Sequence, residues 1–110
     1  MSDAVPPFDV TLTPPAEDVT VSVHGEVDIV TVARFASALT DAIRMSERRV
    51  RVDLHDVSYF GSEGVQALVD AQRLAEEHDR TLCVVNPSSI ASRLLRVVGL
   101  DELIDATAAG

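Results

Sequence analysis

The 110-residue sequence is poor in aromatic residues, in cysteine and in positive charge. Aromatic residues make up 4% of the chain, so aliphatic side chains must fill its interior. The single cysteine, Cys83, can form no internal disulfide, and its apolar surroundings at 81–85 are typical of a small buried hydrophobe. A formal net charge of −9 argues against binding nucleic acid or an anionic membrane through a basic surface. We therefore expect a protein partner and no direct contact with nucleic acid.

Long apolar runs and closely spaced metal ligands are also absent from the sequence. No run approaches the ~20 apolar residues that span a bilayer, and residues 1–10 lack the basic start and apolar core of a signal peptide. His24, His55 and His78 lie far apart, without the i, i+4 spacing that places two metal ligands on one helix face. We expect a cytoplasmic protein without a membrane span, a metal site or a cofactor.

The length and the composition predict one globular domain. A chain of 110 residues is long enough for a single modest core and too short for two. Its hydrophobic share of 46% beside 25% charged residues is that of a folded protein. Residues 1–7 and 105–110 have little to bury, so we predict flexible ends around a domain spanning 8–104.

Repeated changes in the hydrophobic period predict an α/β fold. Strands are predicted over 8–13, 19–25, 48–54 and 81–85. Helices are predicted over 31–45, over 63–78 and between Ser88 or Ser89 and Gly99. The first two strands form an antiparallel hairpin, 81–85 lies centrally, and Leu103 with Ile104 adds a short edge strand. The expected result is a mixed sheet of four to five strands with helices mainly on one face.

Particular residues are expected at the helix ends and faces. Asp28 or Thr31 is predicted to cap the first helix, and Ser62 to cap the second. A loop over 55–62 is expected to lead into Ser62. The third helix carries its large apolar residues on one face, and Gly99 ends it with left-handed backbone. Those apolar residues are Ile90, Leu94, Val97 and Val98.

Ser62 is the strongest candidate for chemistry in the sequence. A phosphate on a serine at a helix start meets unpaired amide donors and the positive end of the helix dipole, so such a serine can accept phosphate without melting its helix. Gly61 and Gly64 flank Ser62 and predict a backbone open to close approach by another molecule. An ordinary capping serine beside a tight turn explains the same pattern.

Two enzyme motifs fail on their spacing. A nucleophile elbow needs glycine two residues before the serine, where this sequence has Phe60. A phosphate-binding P-loop needs a lysine that the segment after Gly61 does not have. We therefore predict no enzymatic activity.

Three sequence landmarks occur in order along the chain. They read GEVD at 25–28, VDLHDVSYFGSEGV at 52–65 and NPSSIASRLLRVVGLDELI at 86–104. This series resembles the G-E-[LIV]-D motif, the D-S-S-G loop and the closing helix of the STAS family, whose stand-alone bacterial members are anti-sigma factor antagonists. The resemblance extends from about Phe8 to Ile104 and implies a STAS-like single domain.

The resemblance also implies a partner and a switch. In family members of this kind, an anti-sigma factor with serine kinase activity phosphorylates the first serine of D-S-S-G, and Ser62 occupies that position. Gly61 replaces the family's aspartate and Glu63 its second serine. The implied function is an anti-sigma factor antagonist that phosphorylation of Ser62 switches off, because the added charge opposes binding.

The residues expected to contact the partner surround Ser62 in the sequence or, for the first of them, end the GEVD motif. They are Asp28, Gly61, Ser62, Glu63, Gly64, Val65 and Val69. Burial in the core is the competing interpretation for both valines, and helix capping for the aspartate. Two other functions stay open, a soluble subunit regulating a transporter ATPase and a non-phosphorylated protein-binding scaffold. The oligomeric state is left open.

Overall fold

Strands and helices alternate along residues 8–105, the part of the chain that the computed structural model describes. The strands are β1 (Asp9–Thr13), β2 (Asp18–Val27), β3 (Arg49–Phe60) and β4 (Thr81–Val85). The helices are α1 (Val32–Met45), α2 (Ser62–Glu77) and α3 (Ser89–Val97), followed by a 3-10 turn at Asp101–Leu103. This arrangement confirms the predicted α/β class. Flexible ends were predicted at 1–7 and 105–110, and of these residues 1–7 and 106–110 lie outside the described part of the chain.

The four strands form one mixed sheet in the order β1-β2-β3-β4. β1 and β2 pair antiparallel, which confirms the hairpin, and β3 pairs parallel to both β2 and β4. Val21, Val52 and Val84 are neighbours across three strands and are fully buried. The adjacent row, Thr20, Arg51 and Cys83, points to the opposite face. The alternating sequence therefore places the three valines under α1 and α2, and it places Thr20, Arg51 and Cys83 on the face away from those helices.

β4 lies at the edge of the sheet, so the prediction of a central strand is wrong. On its outer side, Val84 forms a single parallel bridge with Ile104 and accepts a hydrogen bond from the Asp105 amide at 2.8 Å. Leu103, just before this bridge, is buried. An apolar run indicates that the faces of a strand are buried, but it does not indicate whether the strand lies at the centre or at the edge of the sheet.

β3 continues to Phe60, through the segment that was predicted as a loop. Its pairing with β2 shifts register twice, and each time β3 advances one residue more than β2. His55 and Asp56 are both exposed, as are Ser58 and Tyr59, so the two-residue alternation is lost. Such bulges bend and twist a strand without ending it. The result is one long strand that leads directly into α2.

The core stripes of α1 and α2 follow the helical spacing of their apolar residues. That spacing predicts stripes of Val32, Phe35, Ala36, Leu39 and Ile43 in α1 and of Ala67, Leu68, Ala71, Leu74 and Ala75 in α2, and all of these are buried or packed against the core. Phe35, Leu39 and Ile43 of α1 and Leu68 of α2 are almost completely buried. The ring of Phe35 meets the ring of Phe60 edge to face, with centroids 6.0 Å apart. This aromatic pair joins α1 to the end of β3.

α3 differs from its prediction in the face that it buries. Only Ala91 and Leu95 of this helix are buried, whereas the predicted apolar face is largely exposed, with Val97 75% exposed. The predicted ends are correct, because the Ser88 hydroxyl accepts a hydrogen bond from the Ala91 amide at 3.3 Å and Gly99 has φ +80°. α3 therefore packs on β3 mainly through Ala91 and Leu95 and leaves other apolar side chains on the surface.

Candidate functional site

The candidate site lies where the parallel strands β2 and β3 end side by side. The Gly61 amide donates a hydrogen bond to the Val27 carbonyl at 3.0 Å, which joins the start of α2 to the end of β2. The loop at 28–31 follows β2 immediately. The structure therefore brings Asp28 and Ser62, distant in sequence, to the same edge of the sheet. This is the edge at which α/β folds commonly place their functional residues.

Ser62 is the first residue of α2, so its predicted position as the N-cap is wrong by one residue. Gly61 holds the N-cap position with extended backbone (φ −91°, ψ −179°), and its carbonyl accepts hydrogen bonds from the Gly64 and Val65 amides. The Ser62 side chain is exposed, and its hydroxyl makes no hydrogen bond with any other residue of 8–105. The hydroxyl is thus available to another molecule.

The two flanking glycines serve internal packing, and the expected open backbone at these positions is not found. Both are buried. A Cβ at Gly64 would lie 2.8 Å from the ring of Phe60 and 2.9 Å from Cγ1 of Val27. The missing side chain lets the first turn of α2 rest directly on the ends of β2 and β3.

Glu63 folds back over Gly61. Its Oε1 atom would lie 2.7 Å from a Cβ added at Gly61, and Tyr59 borders the same space at 3.2 Å. A carboxylate therefore occupies the position that a side chain at 61 would take. This negative charge lies in the first turn of α2, where it interacts favourably with the helix dipole. It also gives the surroundings of Ser62 a negative charge.

The loop between β2 and α1 is held by two side chains. Asp28 Oδ1 accepts hydrogen bonds from the Val30 and Thr31 amides at 2.9 and 3.1 Å, and the Thr31 hydroxyl donates to the Glu26 carbonyl at 2.6 Å. Asp28 thus caps the turn ahead of α1, whereas Thr31, the N-cap residue, makes no side-chain cap bond. The fixed loop exposes Ile29 and Val30, at 76% and 78%. Ile29 and Val30 were not among the residues predicted from the sequence to contact a partner.

The remaining predicted contacts lie on α2. Val65 and Val69 are half-buried, and Val65 packs against the core. Gln66 donates a hydrogen bond to Asp70 at 2.9 Å on the exposed side of the same helix. Both valines are therefore partly accessible, and their role in binding stays a prediction.

A groove on the other side of Ser62 was not anticipated from the sequence. It has a volume of about 310 Å³ and separates the end of β3 and the start of α2 from α3. Its lining residues are Tyr59, Phe60, Gly61, Ser62, Ile90, Arg93, Leu94 and Val97. Tyr59 is 46% exposed, so the groove presents apolar surface beside the serine hydroxyl. The available signal was the set of large apolar residues on one face of α3, which includes Ile90, Leu94 and Val97.

No three His, Cys, Asp or Glu side chains within 8–105 lie together in a way that could hold a metal ion. None of the helices in that range has both the length and the apolar character needed to cross a bilayer.

Comparison with protein families agrees with this geometry. A family model described as "Mlab, STAS domain" matches residues 10–105. The chain belongs to the STAS domain family. The match covers the hairpin, the Ser62 region and the closing helix, and it confirms the resemblance drawn from the three sequence landmarks.

Relatives of this STAS domain include named regulators. The chain is 31% identical over 84 residues to an anti-sigma-B factor antagonist of Staphylococcus aureus, covering 76% of this chain and 78% of that protein. An anti-sigma factor antagonist from Mycobacterium paratuberculosis superposes with a TM-score of 0.81 at 22% identity, over 94% of this chain and 91% of that one. The phosphorylated form of the Bacillus protein SpoIIAA superposes with a TM-score of 0.69 at 20% identity, over 90% and 89%. The two solved structures show a shared fold.

Proposed function

We propose that this STAS domain is an anti-sigma factor antagonist whose binding is switched off by phosphorylation of Ser62. In this function the unphosphorylated protein binds an anti-sigma factor and thereby releases the sigma factor. The observation that carries the proposal is the exposed Ser62 hydroxyl, without a hydrogen-bond partner among residues 8–105, at the first turn of α2. The names of the relatives support the class of partner. The role is regulatory rather than catalytic.

The surface around Ser62 has the character of a protein-docking site. Ile29, Val30 and Tyr59 expose large apolar side chains on the elements next to it. Exposed apolar groups rimmed by polar ones mark interaction surfaces, and aromatic residues are enriched there. The hydrogen bonds of Asp28 and Thr31 hold the β2–α1 loop in place, so little ordering is needed before a partner binds.

Phosphorylation at this position would change binding without unfolding the domain. A phosphate adds about 1.5 to 2 negative charges at neutral pH. Ser62 is exposed and stands in the first helical turn, where the helix dipole tolerates negative charge. Within a docking surface, however, that charge must be desolvated when the partner binds. The domain is therefore expected to stay folded while losing affinity.

The proposed partner is an anti-sigma factor that is also the serine kinase. Such a partner must reach the Ser62 hydroxyl, and the exposure of this side chain supports that access. Glu63 and Asp28 bring negative charge close to the hydroxyl. A kinase that acts here would need to accommodate an acidic neighbour.

Pull-down experiments with such a kinase, with and without ATP, test the proposal. We expect wild type to lose binding after incubation with ATP, Ser62→Ala to keep binding, and Ser62→Asp to bind weakly in either condition. Ser37→Asp is the matched control, because Ser37 is also an exposed serine but lies in the middle of α1. Mass spectrometry should locate one added phosphate on Ser62. If no phosphate is gained there, the switch is refuted.

The two other functions that the sequence leaves open predict different partners. A regulatory subunit of a transporter ATPase would co-purify with that ATPase rather than with a sigma-regulating kinase. A non-phosphorylated scaffold would bind its partner equally with and without ATP. The same pull-down therefore separates all three.

A further inference from the structure

The groove between Ser62 and α3 brings a modifiable hydroxyl and a cation together. One wall is the end of β3 with the start of α2, which carries Ser62, and the other is α3, which carries Arg93. Tyr59, Ile90 and Val97 line the same space and leave it largely apolar. Charges facing one another across an apolar groove are screened less by water than charges on an open surface.

Arg93 is not engaged within residues 8–105. The ion pairs in that range join Asp18 to Arg48 and Arg49, and Arg93 takes part in neither an ion pair nor a hydrogen bond with another described residue. Helix α3 holds two arginines and no acidic residue, in a chain whose net charge is −9. This exposed cationic helix beside Ser62 stands out from an otherwise acidic protein.

We propose that Arg93 binds the phosphate of phosphorylated Ser62 across this groove. The inference deepens the proposed function and rests on it for the phosphorylation itself. Guanidinium groups pair with phosphate through two parallel, charge-assisted hydrogen bonds, which makes arginine the side chain best suited to this contact. Among the groove-lining residues, Arg93 carries the one positive charge.

The other charged groups near Ser62 act in the opposite direction. Glu63 lies in the same turn of α2, and Asp28 follows the end of β2 at the same edge of the sheet. Both carboxylates repel a phosphate on Ser62. The phosphate is therefore expected to turn toward α3. Phosphorylation would then add a negative charge at Ser62 and also engage the positive charge of Arg93, which a partner could no longer contact. The paired groups would cover part of the apolar groove.

The experiment uses protein with phosphoserine installed at position 62 during translation, so that no kinase or partner is needed. The second pKa of the phosphate, ordinarily near 6, is followed by phosphorus NMR across a pH titration. A nearby cation favours the dianion and lowers this pKa. We expect the Arg93→Gln variant to have a second pKa higher than that of wild type by about 0.2 to 0.7 pH unit, the range of an exposed ion pair.

Arg96→Gln is the matched control. Arg96 is the other exposed arginine of α3. It lines a neighbouring groove, which shares Arg93 and Val97 with the first, but it is not among the residues that line the groove at Ser62. Its replacement should leave the phosphate pKa at the wild-type value. Equal pKa values in wild type and Arg93→Gln would overturn the proposal, as would an equal rise in both variants. Failure of a kinase to bind or to modify Ser62 would leave this titration unchanged, so the two proposals fail separately.

Discussion

Gly64 lies against buried side chains of β2 and β3, and replacing it by alanine tests the geometry that presents the Ser62 hydroxyl. A Cβ at this position would lie 2.8 Å from Cε1 and Cζ of Phe60 and 2.9 Å from Cγ1 of Val27. Both neighbours are buried, at 2% and 0% exposure. The Phe60 ring also packs against Phe35, which limits its movement away from α2. The helix or the core must therefore shift.

Two opposing effects determine the size of the change in stability. Adding a methyl group to a filled core typically costs about 1 to 3 kcal/mol. Alanine favours the helix more than glycine does, which stabilises the variant by up to about 1 kcal/mol in a helix interior and by less at the first turn. We expect packing to dominate and Gly64→Ala to lower the free energy of unfolding by about 1 to 2 kcal/mol. In a domain of this size each kcal/mol lowers Tm by roughly 4 to 8 °C.

Urea denaturation followed by circular dichroism measures this change. The variant Phe60→Leu provides the control, because leucine lacks the ring atoms that would meet the new Cβ. Gly64→Ala should cost less in the Phe60→Leu background than in wild type, by at least about 0.5 kcal/mol. Equal or greater stability of Gly64→Ala in the wild-type background would refute the reasoning, because helix propensity would then outweigh the predicted clash.

Three further changes have defined outcomes. Gly99→Ala should lower the free energy of unfolding by about 1 to 2 kcal/mol, because the backbone φ of +80° disfavours a side chain even though an added Cβ would meet no atom within 4 Å. An unchanged urea midpoint would contradict this. Ser88→Ala should cost about 0.5 to 2 kcal/mol through loss of the α3 cap, whereas exposed Ser89→Ala should cost less; equal costs would argue against the cap. The hydrogen bond from Arg49 holds the pKa of Asp18 below its ordinary 3.8. The ionised Asp18 therefore stabilises the fold above that pH, and this stabilisation is lost as pH falls through the lower pKa of the folded state. Asp18→Asn should therefore flatten the stability curve below about pH 4, and superimposable urea midpoints over that range would contradict it.

The hydrophobic pattern was sufficient for most of the fold because local periodicity reports burial directly. Alternation in β1 and β2 predicted the hairpin, and the spacing of Phe35, Leu39 and Ile43 predicted the buried stripe of α1. The turn chemistry of Ser88 and Gly99 predicted both ends of α3. These features depend on backbone conformation and on side chains close in sequence.

The second half of β3 could not be recognised in this way. Its two register shifts expose consecutive residues, and a strand with bulges reads like a loop when only the sequence is available. The same shifts set where β3 ends and hence which residue begins α2. The sequence could indicate Ser62 as a helix-start serine, but its place at the first helical position followed from pairing with β2.

By itself the sequence determined the fold class, the main elements and the family, and it indicated Ser62 as the candidate site, because these depend on patterns carried along the chain. Only the tertiary structure decided that Glu63 covers Gly61, that α3 leaves Val97 exposed, and that Arg93 shares a groove with Ser62. A pattern of apolar residues indicates that a face is suited to burial. Which segment of the chain covers that face depends on packing between segments that are distant in sequence. In α3, Leu94 is partly buried against the core, whereas Ile90 and Val97 of the same helix and Val98 at its C-terminal end stay exposed.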